Sequence, residues 1–410
     1  MPDGYFDSAQ GAASAELVRR ALASNPELAA ARLEIEKARA RLRQAGLRPN
    51  PAVEFEQTTG VLNSPGERAT GVGISLPLEA GGKRQRRIDL AQAEMEVAEA
   101  EIADRERRLA NEVRVAYAEA MVALRELEIT AGLDDLDTQA ARVVEARVNE
   151  GDAAPLELNL LRVELGRLRA RRALIAGRLQ AALLRLQNLA GMPLDQPLRL
   201  REALPAASLF EPPASVESAI ESALRNRPDL RLAQLEQEVA QAGLRLARAQ
   251  AAPDVTVFTR YGVERSSFDP TPIGAFTERD RLLAFGVSIS LPVFNRNQGA
   301  KAEAETAIAQ AKHRKQFIES VVRAEVMSAW ARYEASSAAL RTFEQGVLAR
   351  SSDNIRAIRG AYEIGAFRIT ELINEQRRLL DAQREFTDAL AERFRALADL
   401  QAAMGVIEKK

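Results

Sequence analysis

The chain repeats itself, and a duplicated unit restricts it to folds that can be assembled twice from the same parts. Ala21-Leu22-Ala23-Ser24-Asn25-Pro26-Glu27-Leu28 recurs as Ala223-Leu224-Arg225-Asn226-Arg227-Pro228-Asp229-Leu230, and Pro51 answers to Pro253 at the same offset. Ile74-Ser75-Leu76-Pro77-Leu78 recurs as Ile289-Ser290-Leu291-Pro292-Val293. Gly151 with Glu157-Leu158 recurs as Gly365 with Glu371-Leu372, and Gly191 recurs as Gly405. These matches stay in order, so residues 1–200 and 201–410 read as two copies of one unit.

Each copy reads helix, strand, strand, long helix, return helix. In copy one a helix is expected over 15–47, broken near Asn25-Pro26, then strands over 52–60 and 69–78. A helix free of proline follows over 83–149, with a return helix over 156–189. Copy two places strands near 254–262 and 282–293, a long helix over 301–364 and a return helix over 369–404. At about 1.5 Å per residue the first long helix reaches roughly 100 Å, far more than a globular domain needs. Composition agrees: 46% of residues are hydrophobic but only 5% aromatic. Alanine dominates the apolar set; it is the best helix former and lets helices approach closely.

The helical period is nearer 3.5 than 3.6. Ile88, Ala91, Met95, Ala98 and Ile102 step by three and four, as do Leu161, Leu165, Leu168, Ile175, Leu179, Ala182, Leu186 and Leu189, with Arg172 intruding. That rhythm fits coiled-coil packing, with an ordinary amphipathic bundle as the alternative.

Along the strands one face is apolar and the other polar or small. Val53 and Phe55 alternate with Glu54 and Glu56, and Val72, Ile74 and Leu76 with Gly71, Gly73 and Ser75. Val255, Val257 and Tyr261 alternate with Thr256 and Arg260; Phe285, Val287, Ile289 and Leu291 with Ala284, Gly286, Ser288 and Ser290. A barrel with lipid outside and water inside has this pattern; so does a sandwich with one solvated face. Four strands cannot close a barrel, since barrels begin at about eight, and open edges do not persist in lipid. Three copies of the chain would supply about twelve strands, consistent with the size range of such barrels.

Several classes drop out. Fifty-seven basic residues face fifty-eight acidic ones, whereas nucleic-acid partners call for a basic excess. There is no cysteine, which removes disulfides, thiolate metal sites, thiol nucleophiles and lipidation on a cysteine within this chain. No run of about eighteen apolar residues exists to form a transmembrane helix, and Met1 to Gln10 lacks the layout of a secretory signal. No nucleophile–base pair or phosphate loop is visible. His313, the sole histidine, stands between Lys312 and Arg314; one histidine without cysteine makes no discriminating metal site. No enzymatic activity and no cofactor are therefore expected.

The layout resembles the TolC family of outer-membrane efflux factors over essentially the whole chain. The resemblance rests on Asn25-Pro26-Glu27-Leu28 and Arg227-Pro228-Asp229-Leu230, and on the strand ends at Leu76-Pro77 and Leu291-Pro292. Gly81-Gly82-Lys83-Arg84 and Asn295-Arg296-Asn297-Gln298-Gly299 mark the strand-to-helix switch, and the turns at 151–158 and 365–372 complete the set. The wording Leu-Pro-Leu-Glu-Ala-Gly-Gly-Lys-Arg is most similar to the cobalt–zinc–cadmium resistance branch.

The resemblance implies a mostly α fold with a small β part. It implies a homotrimer with a twelve-stranded barrel in the outer membrane of a Gram-negative bacterium and a helical barrel reaching across the periplasm. Its partners would be outer-membrane lipid, a periplasmic adaptor and an inner-membrane resistance–nodulation–division pump, with heavy-metal cations as the exported class. Some relatives carry a lipidated N-terminal cysteine, which this chain lacks. The competing reading is a periplasmic coiled-coil adaptor, though adaptors set their hairpins in a lipoyl-like, β-rich body without this duplication.

By the same resemblance, Gly151 and Gly365 mark hairpin tips, and Glu157, Glu371 and Asn374 are candidates for the periplasmic entrance. As first-turn acids, the two glutamates also have a plain role at helix starts. Pro77, Gly81, Gly82, Pro292 and Gly299 sit at the switch from strand to helix. Lys83, Arg84, Arg86 and Arg87 there are either a lipid-phosphate contact or a solvated basic face.

Overall fold

The computed structural model describes residues 4–59, 67–201, 211–267, 277–364 and 366–406. In chain order the elements are α1 (Ser14–Ser24), α2 (Pro26–Ala45), β1 (Ala52–Thr59), β2 (Arg68–Leu78), α3 (Lys83–Glu150) and α4 (Pro155–Leu189). The second set is α5 (Val216–Asn226), α6 (Pro228–Ala249), β3 (Val255–Ser267), β4 (Thr277–Ile289), α7 (Gln298–Thr342), α8 (Leu348–Glu363) and α9 (Ile369–Ala403). Contacts gather these into two compact units. One comprises Met1–Arg32, Ala100–Arg231 and Phe317–Lys410; the other comprises Leu33–Glu99 and Leu232–Gln316. Each unit draws segments from both sequence copies.

The second unit holds a single antiparallel sheet in the order β1-β2-β3-β4. Residues directly opposite in the ladder share a face, so the register assembles apolar rows across it. Phe55, Val72, Tyr261 and Leu283 form one row, Val53, Ile74, Thr259 and Phe285 the next, then Leu76, Val257 and Val287. These side chains lie open: Phe55 is 68% and Phe285 77% exposed. On the other face Arg260 reaches across β2 to Glu56 at 3.2 Å and Glu54 at 3.7 Å. Gly71 and Gly73 leave its path clear.

The second pair of strands departs from the sequence expectation. Strand β3 continues to Ser267 rather than stopping near 262, and β4 lies at 277–289 rather than 282–293. Charged residues such as Glu264, Arg265 and Glu278 to Arg281 read as loop, yet they pair in register. Toward its other end β4 stops before Pro292, which has no N–H for a ladder bond.

In the first unit small residues bring long helices together. Ala110, Ala116, Ala118, Ala120, Ala391 and Ala398 are buried beside Tyr117, Leu124, Leu179 and Phe394, and the Tyr117 and Phe394 rings stack at 6.3 Å. Arg172, the intruder in the α4 repeat, turns to Asp134 on α3 at 3.3 Å.

The duplication shows most clearly at the two helix breaks. Asn25 accepts the Leu28 N–H at 2.9 Å and donates to the Leu189 carbonyl at 3.0 Å, capping the start of α2 and the end of α4 together. Arg227 takes the equivalent place in copy two. It bonds Asp229 at 2.9 Å in the first turn of α6 and the Ala403 carbonyl at 3.3 Å at the end of α9. Gly191 and Gly405 let these chains touch: both have positive φ, 62° and 73°. A Cβ on Gly191 would stand 2.4 Å from the Ser24 carbonyl oxygen. Gly191→Ala is therefore expected to cost about 1–3 kcal/mol from strain and clash, read as a lowered denaturation midpoint; an unchanged midpoint would show that the junction is loose.

One feature has no counterpart in copy one. Whereas α3 runs 68 residues unbroken, the helix expected over 301–364 is interrupted by a kink at Phe343–Val347, where Gly346 takes a non-helical φ of 133°. Only glycine adopts such a backbone without strain.

Candidate functional site

The turn ends of the two hairpins α3–α4 and α8–α9 lie within the first unit. Gly151 closes the first turn with φ 86°, and the following Asp152 N–H donates to the Arg147 carbonyl at 2.8 Å. Pro155 begins α4, where its missing N–H costs nothing. Gly365, the expected second tip, lies outside the described residues. Val144, Leu158, Leu161, Ile355, Tyr362, Ile369, Leu372 and Ile373 form one apolar cluster joining the two hairpins.

The three entrance candidates occupy three different settings. Glu157 is half-buried and accepts a hydrogen bond from the Tyr362 hydroxyl at 3.1 Å, with the Arg147 guanidinium 5.8 Å from the ring centre. Burial, then the Glu157 charge and its hydrogen bond, push the Tyr362 hydroxyl above its usual value. Glu371 is exposed and accepts the Arg368 backbone N–H, capping α9. Asn374 is exposed one turn further along. Thus Glu157 is tied to the opposite hairpin, while Glu371 and Asn374 present themselves to solvent from one helix face, three residues apart.

Sequence reasoning passed over a polar layer deeper between the hairpins. The Gln376 amide donates to Asp137 at 2.7 Å, both side chains being buried. Burial raises the Asp137 carboxyl above its ordinary value, and the Gln376 bond only partly opposes this. A 300 Å³ cavity beside them is lined by Glu164, Arg167, Arg171, Arg377 and Arg384 among others. Asp137 falls in the α3 heptad register seven residues before Val144, and a polar residue on that stripe was the available signal.

At the strand-to-helix switch Gly81 and Gly82 both take positive φ, 68° and 70°, and a Cβ on Gly81 would meet that of Ala252 at 2.5 Å. Pro77 lies inside β2, opposite Thr256, and Pro292 lies beyond β4. In copy two the left-handed position is Asn297, at φ 58°, rather than Gly299, which sits in the first turn of α7. The Asn297 amide donates to the Ala247 carbonyl at 2.9 Å.

The basic cluster at this switch has internal partners. Lys83 is buried against Asp254 at 2.7 Å, Arg84 donates to the Gly46 carbonyl at 2.6 Å, Arg86 meets Asp89 at 3.0 Å, and Arg87 grips Glu79 with both nitrogens. These bonds favour a structural role over lipid contact. His313 is exposed on α7. Among the described residues no three acidic or histidine side chains converge as metal donors.

Two segments, 17–192 and 219–406, match the family model described as outer membrane efflux protein. The chain is 26% identical over 391 residues to the cobalt-zinc-cadmium resistance protein CzcC of Cupriavidus metallidurans, covering 94% of this chain and 88% of that one. It is 27% identical over 321 residues to the nickel and cobalt resistance protein CnrC of the same bacterium, covering 77% and 72%. Among solved structures, CusC superposes with a TM-score of 0.80 at 21% identity, covering 99% of this chain and 94% of that one. The open state of the Neisseria gonorrhoeae MtrE outer membrane channel gives 0.76 at 20% identity, covering 96% and 89%.

Proposed function

This chain belongs to the outer membrane efflux protein family, and from that premise we propose that it is the exit duct of a tripartite resistance–nodulation–division system exporting heavy-metal cations. It is a channel of the outer membrane and not an enzyme. The observation that carries the reading is the sheet: a continuous exposed apolar face, a polar face opposite, and two unpaired edges, β1 and β4. In lipid such edges must pair, so β1 of one copy joins β4 of the next, and three copies close twelve strands. The adaptor alternative gives no use to an exposed apolar sheet face, and the family excludes it.

The metal assignment draws on relatives whose names specify cobalt, zinc, cadmium and nickel resistance. In this system the adaptor and the inner-membrane pump supply energy and selection, while the duct supplies a path. Glu371 and Asn374 line the periplasmic entrance, and Glu157, through Tyr362, holds the two hairpins together beside it.

Light scattering in detergent, corrected for bound detergent, is expected to give three protomers per particle. The particle should also shift in gel mobility on heating, as barrels do when they unfold. A monodisperse monomer that keeps its β-structure would sink the trimeric barrel.

A further inference from the structure

We infer that the hairpin end of the sheet's apolar face carries a docking surface for phosphate-bearing lipid headgroups, built from Arg68, Arg265, Arg279 and Arg281. The inference rests on the reading above, in which this face meets lipid. The register pairs Arg68 with Arg265 and Arg265 with Arg279, so the three stand abreast across β2, β3 and β4. Arg281, opposite Val263, stands one row nearer the apolar band. By strand alternation all four share the face of Val72, Tyr261 and Leu283. All four are exposed, and none has an ion-pair or hydrogen-bond partner among the described residues.

The acids of the same segment point the other way. Glu264 lies opposite Asp280, and with Glu278 they alternate onto the face that carries Arg260, Glu54 and Glu56. Charge is therefore sorted by face, with cations alone beside the apolar band. Like charges directly opposite in a ladder are destabilising, so an array of this kind calls for an external anion. At the other end of the sheet the contrast is plain, because Lys83, Arg84, Arg86 and Arg87 are all satisfied within the protein.

Guanidinium groups bind phosphate by paired, charge-assisted hydrogen bonds. What selects a lipid over a soluble anion is the neighbouring surface. The row of Phe55, Val72, Tyr261 and Leu283 begins two rows from Arg265, about 13 Å along the strand. Tyr261 there suits the boundary between headgroup and acyl chain. All four strands connect to helices at the opposite end, so in the duct reading this margin meets the outer leaflet. The ligand chemistry is thus a phosphorylated headgroup whose acyl chains lie on the apolar rows.

The test uses the full chain reconstituted in phosphatidylcholine vesicles doped with diphosphoryl lipid A. Co-purified lipid A is quantified after extraction for wild type, for R68Q/R265Q/R279Q/R281Q, and for E264Q/D280Q on the opposite face. The arginine variant should retain at least about tenfold less lipid A, the loss expected when several charge-assisted contacts go. The acid variant should match wild type, and inorganic phosphate should not displace the lipid. Equal retention by wild type and arginine variant, or displacement by inorganic phosphate, overturns the proposal while leaving the duct intact. Failure of wild type to insert into phosphatidylcholine alone overturns the duct reading as well. If the fourfold variant does not insert, R279Q/R281Q decides by the same measure, with retention equal to wild type counting against the proposal.

Discussion

Arg227→Met is expected to lower the stability of the folded chain by about 3–5 kcal/mol, the range for stripping one partner from a buried ion pair. The guanidinium is 1% exposed and touches three elements at once: Asp229 at the start of α6, Glu325 on α7 and the Ala403 carbonyl at the end of α9. Arg107 adds a hydrogen bond to the neighbouring Ala402 carbonyl at 3.2 Å and lies 4.0 Å from Asp229. Methionine fills much of the volume but leaves Asp229 charged and nearly alone. Burial by itself would raise the Asp229 carboxyl, yet the Arg227 hydrogen bonds and charge outweigh it and hold it below 3.8.

The pH dependence follows from that sign. An acid with a depressed folded value contributes stability that is present above its ordinary value and lost as pH falls through the folded one. Wild type should therefore lose this contribution on acidification below about pH 4. The variant, whose Asp229 prefers to be protonated, should not, so the gap between the two closes at low pH. Denaturant melts at neutral and acidic pH measure this, with R227M/D229N expected to recover part of the loss. A gap independent of pH would show that Arg227 acts by packing alone.

Glu371→Gln should remove most of the channel's preference for cations in planar bilayers and weaken block by divalent ions. A trimer brings three Glu371 carboxylates around one axis, and an acidic ring of that kind concentrates cations. Salt screens the field over about 8 Å, so the effect needs a narrow aperture. Glu157→Gln should change selectivity little, because that carboxylate is half-buried against Tyr362, but it should loosen the hairpins and raise conductance. Selectivity lost in E157Q and kept in E371Q would reverse the two roles.

The sequence shows these features unevenly, for physical reasons. Helix breaks at Asn25-Pro26 and Arg227-Pro228 are legible because proline acts locally. What Asn25 and Arg227 hold is not legible, since the carbonyls of Leu189 and Ala403 lie more than 160 residues away. The apolar alternation locates the sheet, but it fades where Glu264, Arg265 and Arg279 take over, so β3 and β4 looked shorter or displaced. Glu157 and Glu371 are equivalent in sequence, yet one turns inward to Tyr362 and the other caps its own helix. That difference depends on packing between hairpins, which a repeat cannot reveal.

The kink at Phe343–Val347 sets the phase of everything that follows it. On α7 the buried positions Val322, Val326, Ala329, Ser336 and Leu340 follow a beat of three and four, with the partly buried Tyr333 between Ala329 and Ser336. Continued without interruption, that beat lands on Asn354 and Ala361. The residues buried on α8 are instead Ile355 and Tyr362, later by one position. The kink at Gly346 adds one residue to the count, and one residue is about 100° of rotation. The Gly346 turn thus acts as a skipped count, swinging Tyr362 inward to Glu157 and leaving Ala361 to the side. Copy one, with Val144 still on its original beat in α3, needs no such skip. Two halves that share one sequence pattern are in this way set about 100° apart in helical phase, and the difference places a tyrosine where its twin has none.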